Sequence, residues 1–320
     1  MQLPKTQKAA IKQGTGDNTT ITIKEIPVPE PAPDQILVKI NYSGLCASDK
    51  SLLHDEWDFK MAECTEGIAG HEGAGIVVAV GANVQDLWQI GNRAGIKWIA
   101  SLNSGFTVAG TFQEYCLTDA RYATRLPDGV KDEEAGPIMC GGVTAYVACK
   151  RSLGHFGVQY ARHMGMRVIA IDGGAAKRDL CLSLGAERFI DFTTCSDITS
   201  EIMKITTYGA HGVIVFAATK AGYEQAPHLL RPNGTMVCVG LPKDSSIIAG
   251  ASPILMCLKR LNVVGSVTGT LKDVEEALDF TSRGLVHPIL THGGLEDIDR
   301  FCADMNAGKL AGRAVIKIAA

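Results

Sequence analysis

The 320-residue sequence contains no Cys-x-x-Cys pair, no basic cluster and no apolar run long enough to span a bilayer. The last two absences exclude a surface for polyanions and a membrane-spanning segment, and the net charge of −3 agrees with the first exclusion. No N-terminal apolar segment resembles a signal peptide. We therefore expect a cytoplasmic protein with reduced cysteines that binds neither nucleic acid nor membranes.

Short strands dominate the first part of the chain. Polar and apolar residues alternate over 19–26 and 35–41, and a run of apolar, mostly β-branched residues covers 75–80. Turns rich in proline and glycine separate these runs. Many short strands with turn signals predict a barrel or a sandwich.

The pattern lengthens from Asp132 onward and becomes an alternation of strands and helices. A helix is predicted over 143–150. Strands are predicted over 167–172, 187–191, 213–217, 234–240 and 262–267, with helices over 175–184 and 196–207 between them. This alternation is typical of a doubly wound parallel sheet in an α/β fold. Two more helices, 272–283 and 295–307, precede a last strand at 314–318, and the predicted domains are 1–141, 142–268 and 269–320.

Two cysteines and one histidine form the candidate metal site. His71 stands in a Gly-His-Glu-Gly-Ala-Gly run at 70–75, with Cys46 upstream and Cys140 downstream. Two thiolates and one imidazole leave a fourth position for water or substrate, which is typical of a catalytic rather than a structural zinc. Asp49 could accept a ring N–H from a liganding histidine. A single cysteine is more often a small buried hydrophobe, so the prediction depends on the three residues together.

Beyond these residues, the sequence resembles the zinc-dependent medium-chain alcohol dehydrogenases, in particular the yeast and fungal type. The resemblance implies a GroES-like β-barrel catalytic domain that carries the zinc, followed by a Rossmann-type domain that binds NAD. The runs that carry it extend over nearly the whole chain: Glu-Ile-Pro-Val-Pro at 25–29, Tyr-Ser-Gly at 42–44, the 70–75 run, Gly-Ile-Lys-Trp at 95–98, Ile-Asp-Gly-Gly at 171–174, Val-Gly-Ser at 264–266 and Gly-Arg at 312–313.

One block of the family pattern is missing after the Gly-Ile-Lys-Trp run. Members of the family commonly carry a lobe there in which four closely spaced cysteines hold a structural zinc. In this sequence only residues 99–109 separate the run from Gly110, and they contain no cysteine. We therefore expect one catalytic zinc and no structural zinc, and we expect the missing lobe to weaken folding or subunit contacts.

A second block, the first Rossmann strand with the first glycines of its fingerprint, is also missing. Only Lys150, Arg151 and Ser152 separate Cys149 from Leu153. A lost central strand removes several buried apolar side chains, each worth roughly 1.5–3 kcal/mol. Three explanations stay open: an incomplete gene model, repair of the sheet by a neighbouring segment, and an inactive product.

An NAD site is predicted in the second domain. Asp172 ends an apolar strand before two glycines, where a carboxylate would bind ribose hydroxyls and repel a 2′-phosphate, which favours NAD over NADP. A carboxylate on a surface turn is the alternative for Asp172. The resemblance implies further cofactor residues: Leu153, Gly154, Lys177, Phe189, Val239, Ser266, Thr268 and, near the phosphates, Arg313.

The resemblance implies that the protein interconverts a small-molecule alcohol and an aldehyde or ketone, with zinc as the Lewis acid and NAD as the hydride carrier. Ser48 would take the alcohol proton and pass it towards His54, for which a solvated loop position is an equal alternative. Glu72 would be an exchangeable fourth zinc ligand, or a charge that balances the zinc without binding it. Trp57 and Trp98 would line the substrate pocket or belong to the ordinary core.

Two hypotheses of different classes remain. The first is an NAD-dependent zinc dehydrogenase, and an alcohol of fungal secondary metabolism is a guess at its substrate. The second is an inactive or regulatory pseudoenzyme that keeps the zinc domain but does not hold dinucleotide. A zinc-free reductase is disfavoured because the metal-binding residues are retained. The strand predicted at 262–267 would be an edge strand, so we expect a homo-oligomer, either a dimer or a tetramer.

Overall fold

The computed structural model describes residues 3–97, 103–151, 155–310 and 312–318. Its strands are, in chain order, β1 Thr6–Gln13, β2 Thr20–Pro27, β3 Gln35–Leu45, β4 Glu72–Val80, β5 Arg93–Ile96, β6 Tyr115–Asp119, β7 Thr124–Arg125, β8 Ile169–Asp172, β9 Arg188–Asp191, β10 Ala210–Val215, β11 Leu230–Cys238, β12 Asn262–Gly265, β13 Leu290–Gly293 and β14 Arg313–Lys317.

The α-helices are α1 Ala47–Leu53, α2 Asp132–Pro137, α3 Val143–Arg151, α4 His155–His163, α5 Ala175–Ser183, α6 Ile198–Thr206, α7 Lys220–Leu229, α8 Pro253–Lys259, α9 Leu271–Ser282 and α10 Ile298–Asn306. A π-helix, Ile138–Gly142, joins α2 to α3. Within the described ranges, no helix combines the length and the apolar composition that a bilayer span requires.

The first of two compact units comprises Met1–Val143 and Thr270–Ala320. Its seven-stranded sheet has the order β13, β14, β3, β4, β5, β7, and β6 pairs with β3. Strand β3 is central because it pairs antiparallel with β4 along one edge and with β6 and β14 along the other. A separate antiparallel hairpin joins β1 to β2. Apolar side chains of β3 and β4, with those of α10, contribute to the core of this unit.

The second unit, Thr144–Gly269, contains two parallel sheets and the helices α4 to α8. One sheet pairs β8 with β9, and the other has the order β10, β11, β12. The start of α6 is capped by a side chain: Asp197 accepts the N–H of Ser200 at 2.9 Å. The predicted fold class, a mainly antiparallel β unit combined with a parallel α/β unit, is confirmed.

The parallel strands form two sheets instead of one. The strands of a doubly wound fold, numbered along the chain, lie in the spatial order 3-2-1-4-5-6. In this chain β9 and β8 correspond to strands 3 and 2 of that fold, and β10 to β12 correspond to strands 4 to 6. Among the described residues, no strand corresponds to strand 1, which would pair with β8 on one side and with β10 on the other. Parallel strands are normally buried on both faces, yet Ile171 of β8 is 36% exposed and Phe216, just after β10, is 38% exposed.

Two strands of the first unit are longer than predicted. Strand β3 continues past residue 41 as far as Leu45, and β4 begins at Glu72 instead of 75. The extensions pair with each other, with Gly44 opposite Glu72 and Ser43 opposite Gly73. This pairing uses backbone groups, so it does not require the β-branched residues on which the sequence prediction relied.

Candidate metal centre

Four ligand-type side chains meet inside the first unit. Cys46, His71, Glu72 and Cys140 each offer one ligand atom, and these atoms all lie within 4.8 Å of one another. All four residues are buried. The fold thus brings together residues that are far apart along the chain.

Cys46 lies where β3 ends and α1 begins. It is the N-cap residue of α1. The carboxylate of Asp49, in the first turn of that helix, accepts the backbone N–H of Cys46 at 2.9 Å. This hydrogen bond fixes the backbone that carries the sulfur.

His71 immediately precedes β4 and is 1% exposed. Its Nδ1 lies 2.7 Å from Oδ1 of Asp49, which is itself fully buried. A carboxylate accepts the proton of Nδ1, which leaves the lone pair of Nε2 for a metal. Burial alone would lower the pKa of His71, but the charge and hydrogen bond of Asp49, with a contribution from Cys46, raise it well above its ordinary value.

Cys140 lies in the middle of the π-helix, with Gly141 and Gly142 after it. A π-helical turn often marks a functional site, because it points a side chain in a direction that a continuous α-helix would not allow. The sequence predicted a helix only from 143 onward, and the π-helix before it has no sequence signal beyond Pro137 and the glycine pair.

The two sulfurs interact directly. A hydrogen bond from Cys140 lowers the pKa of Cys46 well below its ordinary value of 9.0, against the effect of burial and with help from the positive charge of Arg313. The same hydrogen bond raises the pKa of Cys140, as does burial. One thiolate is therefore favoured even without a cation. A bound dication removes the second proton as well, and a set of two sulfurs and one imidazole nitrogen fits zinc.

Glu72 is paired within the same cluster. Arg313, at the start of β14, donates from Nη2 to Oε1 of Glu72 and from Nε to Oε2 at 3.2 Å. The backbone N–H of Gly141 also donates to Oε1 at 3.2 Å. Burial raises the pKa of Glu72 to about 7, although the charge of Arg313 opposes this shift. The resemblance had suggested a place for Arg313 near the cofactor phosphates, whereas in the structure it binds the carboxylate beside the metal donors.

Replacing Arg313 with methionine is expected to destabilise the metal-free protein by about 3–5 kcal/mol, because it leaves a buried carboxylate without its partner. The loss should grow as pH rises. The folded pKa of Glu72 would then lie further above its unfolded value, so the folded state binds more protons and loses stability with increasing pH. Urea unfolding of chelator-treated protein between pH 5 and 9 measures this, and Arg313→Met combined with Glu72→Gln should remove the added pH dependence.

Two further predicted catalytic residues belong to α1 and its end. Ser48 is half-buried in the first turn of α1. His54 follows the last turn, is half-buried, and has Nδ1 at 3.3 Å from the carbonyl oxygen of Gly16. The next residue, Asp55, has a positive φ of 52° and binds Lys12 at 2.7 Å and the N–H of Gly16 at 3.1 Å. These contacts fix the backbone that carries His54.

Trp57, predicted for the substrate pocket, is half-buried, and its ring centroid lies 5.0 Å from that of Phe59. Trp98, the other predicted pocket residue, lies outside the described residues.

The predicted cofactor residues of the second unit lie at strand ends. Asp172 ends β8, and its Oδ1 accepts the N–H of Gly173 at 2.8 Å and Nζ of Lys177 at 2.9 Å. Phe189 is on β9 and half-buried. Val239 and Ser266 each follow a parallel strand, β11 and β12 respectively.

The remaining cofactor residues are placed as follows. The backbone N–H of Thr268 donates to Oγ1 of Thr144 at 3.1 Å, and Thr268 has a positive φ of 48°. Leu153 and Gly154, predicted for the pyrophosphate end, lie outside the described residues. The structure thus places the carboxylate of Asp172 and the ammonium group of Lys177 together at the end of β8.

Sequence reasoning missed two features of the metal centre. The pairing of Arg313 with Glu72 joins residues 241 positions apart, and nothing in the sequence near either residue indicates it. Thr111 packs behind the histidine, with Oγ1 at 2.7 Å from Oγ of Ser43. A signal for Thr111 was present in its position directly after the shortened segment that replaces the family's lobe.

Comparison with known proteins gives two family matches. A model described as alcohol dehydrogenase GroES-like domain matches residues 32–128, and one described as zinc-binding dehydrogenase matches residues 152–283. Alcohol dehydrogenase 1 of Emericella nidulans is 37% identical over 357 positions, and an alcohol dehydrogenase of Schizosaccharomyces pombe is 38% identical over 356. Both alignments cover 99% of each chain. They are longer than the 320 residues of this chain, so the relatives contain segments that it lacks.

Solved structures share the fold. Benzyl alcohol dehydrogenase from Acinetobacter calcoaceticus superposes with a TM-score of 0.86 at 21% identity and covers 99% of this chain and 100% of its own. Acetophenone reductase from Geotrichum candidum, in complex with NAD, gives a TM-score of 0.82 at 22% identity, with 99% and 98% covered.

Proposed function

We propose a role for each site residue of this chain in the reaction of its family. The chain belongs to the zinc-dependent medium-chain alcohol dehydrogenases. Its members interconvert alcohols with aldehydes or ketones and use zinc and NAD, and this chain is an oxidoreductase of that kind. The observation that carries the proposal is the convergence of Cys46, His71 and Cys140 in one buried cluster.

The metal would be held by Cys46, His71 and Cys140. Bound zinc supplies Lewis-acid polarisation of the substrate oxygen, and bound NAD supplies the hydride acceptor. Asp49 keeps the proton on Nδ1 of His71 and so directs Nε2 to the metal. Glu72 stays with Arg313 and balances charge in the site, and it is the residue that would reach the metal if that ion pair opened.

Ser48 and His54 would move the proton. Ser48 would accept the proton that the alcohol loses, and His54, which directly follows the same helix, would deliver it to water. Ser48 is two residues after Cys46, in the first turn of α1, and this short separation supports a hydroxyl close to the metal. Trp57 and Trp98 would form the apolar walls of the alcohol pocket.

NAD is the proposed coenzyme in preference to NADP. Asp172 would bind the ribose hydroxyls, and its charge would repel a 2′-phosphate. Lys177, which binds Asp172 at 2.9 Å, would orient that carboxylate. Phe189, Val239, Ser266 and Thr268 would line the rest of the cofactor, and Leu153 and Gly154 would approach the pyrophosphate.

A homo-oligomer is part of the same proposal. Strand β12 is the outer strand of its sheet, and Val267 beyond it is 66% exposed. On the neighbouring α8, Ile254 is 72% and Leu258 is 79% exposed. Apolar side chains beside the outer strand of a sheet favour pairing with a second copy.

A cytoplasmic location also belongs to the proposal. The sulfurs of Cys46 and Cys140 lie within 4.8 Å of each other, so an oxidising compartment would favour a disulfide between them over metal binding.

The metal requirement tests the function directly. Purified protein should contain one zinc per chain by elemental analysis, and alcohol oxidation, followed through NADH absorbance, should stop after chelation and return when zinc is added. Purified protein that contains no zinc, or that oxidises alcohols equally well after chelation, would contradict the proposal.

The alternative, a zinc-binding pseudoenzyme, is favoured by one observation, the division of the parallel strands into two sheets. Titration with NADH separates the two functions. Quenching of tryptophan fluorescence at micromolar NADH supports the dehydrogenase. Zinc-loaded protein with no quenching up to about millimolar NADH, which corresponds to roughly −4 kcal/mol of binding free energy, supports the pseudoenzyme.

A further inference from the structure

A short segment, residues 103–112, lies directly behind the loop that carries His71. It begins with a tight turn in which the carbonyl of Asn103 accepts the N–H groups of Phe106 at 3.0 Å and Thr107 at 2.8 Å. The N–H of Gly105 donates to the carbonyl of Val108 at 2.8 Å. The turn is therefore held by its own backbone hydrogen bonds. We refer to residues 103–112 as the buttress.

The buttress forms three backbone hydrogen bonds with the residues just before His71. The N–H of Gly110 donates to the carbonyl of Ile68 at 2.8 Å, that of Thr111 to Gly70 at 3.0 Å, and that of Phe112 to Ala69 at 3.0 Å. Every residue from 68 to 70 is thus bound through its carbonyl oxygen. The backbone leading into the histidine has little freedom left.

The buttress packs against residues 68–70 at a distance that only glycine permits at two of its positions. A Cβ atom on Gly105 would lie 2.6 Å from the backbone nitrogen of Gly70, nearer than real Cβ atoms approach. A Cβ on Gly110 would overlap the carbonyl of Ala69. Thr111 is fully buried, binds the equally buried Ser43 through its hydroxyl, and packs its methyl group over Gly73.

The contacts of Gly70 connect the buttress to the metal donors. The N–H of Gly70 donates at 3.2 Å to Oδ1 of Asp49, the same oxygen that lies 2.7 Å from Nδ1 of His71. Gly70 is therefore fixed on one side by the buttress and on the other by the carboxylate that orients the imidazole. A displacement of Gly70 by a few tenths of an ångström would alter both contacts.

We propose that the buttress is a positioning element of the metal centre, in which Gly105 and Thr111 hold Gly70 and thereby direct His71 at the metal. The inference rests on the proposed function in that it takes His71 as a zinc ligand. It adds that residues 103–112 give the histidine loop its rigidity by direct backbone packing.

Gly105→Ala tests the inference, with Gly91→Ala as its matched control. Both glycines have positive φ, 75° and 94°, so alanine strains the backbone similarly at either position. Only Gly105 has neighbours, since nothing lies within 4 Å of a Cβ at Gly91. We expect Gly105→Ala to weaken zinc affinity by about 10- to 100-fold, the usual effect of losing support for a ligand. Gly91→Ala should lower the melting temperature and leave zinc affinity unchanged.

Zinc affinity is measured by competition with a chromophoric chelator, and the cobalt-substituted proteins add a second readout. The visible absorption of Co²⁺ reports ligand geometry, so Gly105→Ala should shift it and Gly91→Ala should not. A purely structural role for Gly105 would reduce stability without changing either measurement.

Thr111→Val covers the case in which Gly105→Ala does not fold. Valine keeps the shape of threonine and removes only the hydroxyl bonded to Ser43, and we expect faster zinc release than in wild type, with Thr111→Ser restoring the slow rate. Wild-type zinc affinity and cobalt spectra in both Gly105→Ala and Thr111→Val would overturn the inference while leaving the zinc function intact. Wild-type protein that binds no zinc would overturn the function itself.

Discussion

Cys46→Ala removes stoichiometric zinc and reduces alcohol turnover at least about a thousandfold, a loss of roughly 4 kcal/mol in transition-state stabilisation. Alanine offers no donor atom where the pKa of a cysteine is lowered well below its ordinary value. Glu72 is poorly placed to substitute for it, because its two oxygens are bound to Arg313 and to the N–H of Gly141. Elemental analysis and steady-state kinetics measure the two effects.

The same variant should remain folded. Apart from its role as a metal donor, Cys46 is the N-cap residue of α1, and its side chain makes no capping hydrogen bond there. The hydrogen bond that joins Cys46 to α1, from its backbone N–H to the Asp49 carboxylate, does not depend on the sulfur. Far-UV circular dichroism and a melting curve close to those of zinc-free wild type are therefore expected.

Cys116→Ala is the matched control. Cys116 is also fully buried in the first unit, on β6, and burial raises its pKa to about 12, so it stays a thiol. It does not belong to the four-residue cluster. This variant should bind one zinc and turn over at the wild-type rate. Full zinc content and activity in Cys46→Ala would remove Cys46 from the metal site, whatever the control shows.

The sequence predicted the metal cluster because its chemistry depends on residue type. Cysteine and histidine are among the ligands that zinc prefers. The sequence could not predict how the cluster is held. Arg313 binds Glu72 across 241 residues, and Cys140 is directed by a π-helix, and both depend on tertiary packing that no local pattern encodes.

The same distinction applies to the fold. The parallel strands from β8 to β12 were predicted because their apolar runs are short and bounded by turns, although their limits shifted by a few residues. Strand β1 was not predicted. Its sequence, Thr-Gln-Lys-Ala-Ala-Ile-Lys-Gln, has few β-branched residues and forms a strand because it pairs along its whole length with β2. Hydrogen bonding to β2 therefore stabilises β1 as a strand, although the residues of β1 have a low intrinsic strand propensity.

Insertion of an apolar strand and a glycine turn after Arg151 is expected to raise the melting temperature of the second unit and to tighten NADH binding. Five buried apolar residues would each contribute roughly 1.5–3 kcal/mol before the entropy of ordering them is subtracted. A net gain of about 2–3 kcal/mol corresponds to a rise of roughly 5–10 °C. Differential scanning calorimetry measures the stability.

NADH affinity should improve at least about tenfold, or roughly 1.4 kcal/mol. The crevice for a dinucleotide forms at the carboxyl ends of parallel strands, and the pyrophosphate rests on the helix that follows the first of them. In the described residues, β8 ends at Asp172, the residue proposed to bind the ribose, but no strand pairs with β8 on the side of β10. Fluorescence titration of the variant and of wild type gives the ratio of the two dissociation constants.

The control is an insertion of equal length made of glycine, serine and asparagine. It lengthens the connection between α3 and α4 equally but cannot bury apolar surface, so it should lower the melting temperature and leave NADH binding unchanged. If the apolar insertion behaves like this control, β8 and β10 do not flank the place of a missing strand. The exposed Ile171 and Phe216 would then belong to a surface that the protein presents by itself. If only the apolar insertion binds NADH tightly, the two sheets are halves of one sheet, and the chain retains every other part of its dinucleotide domain.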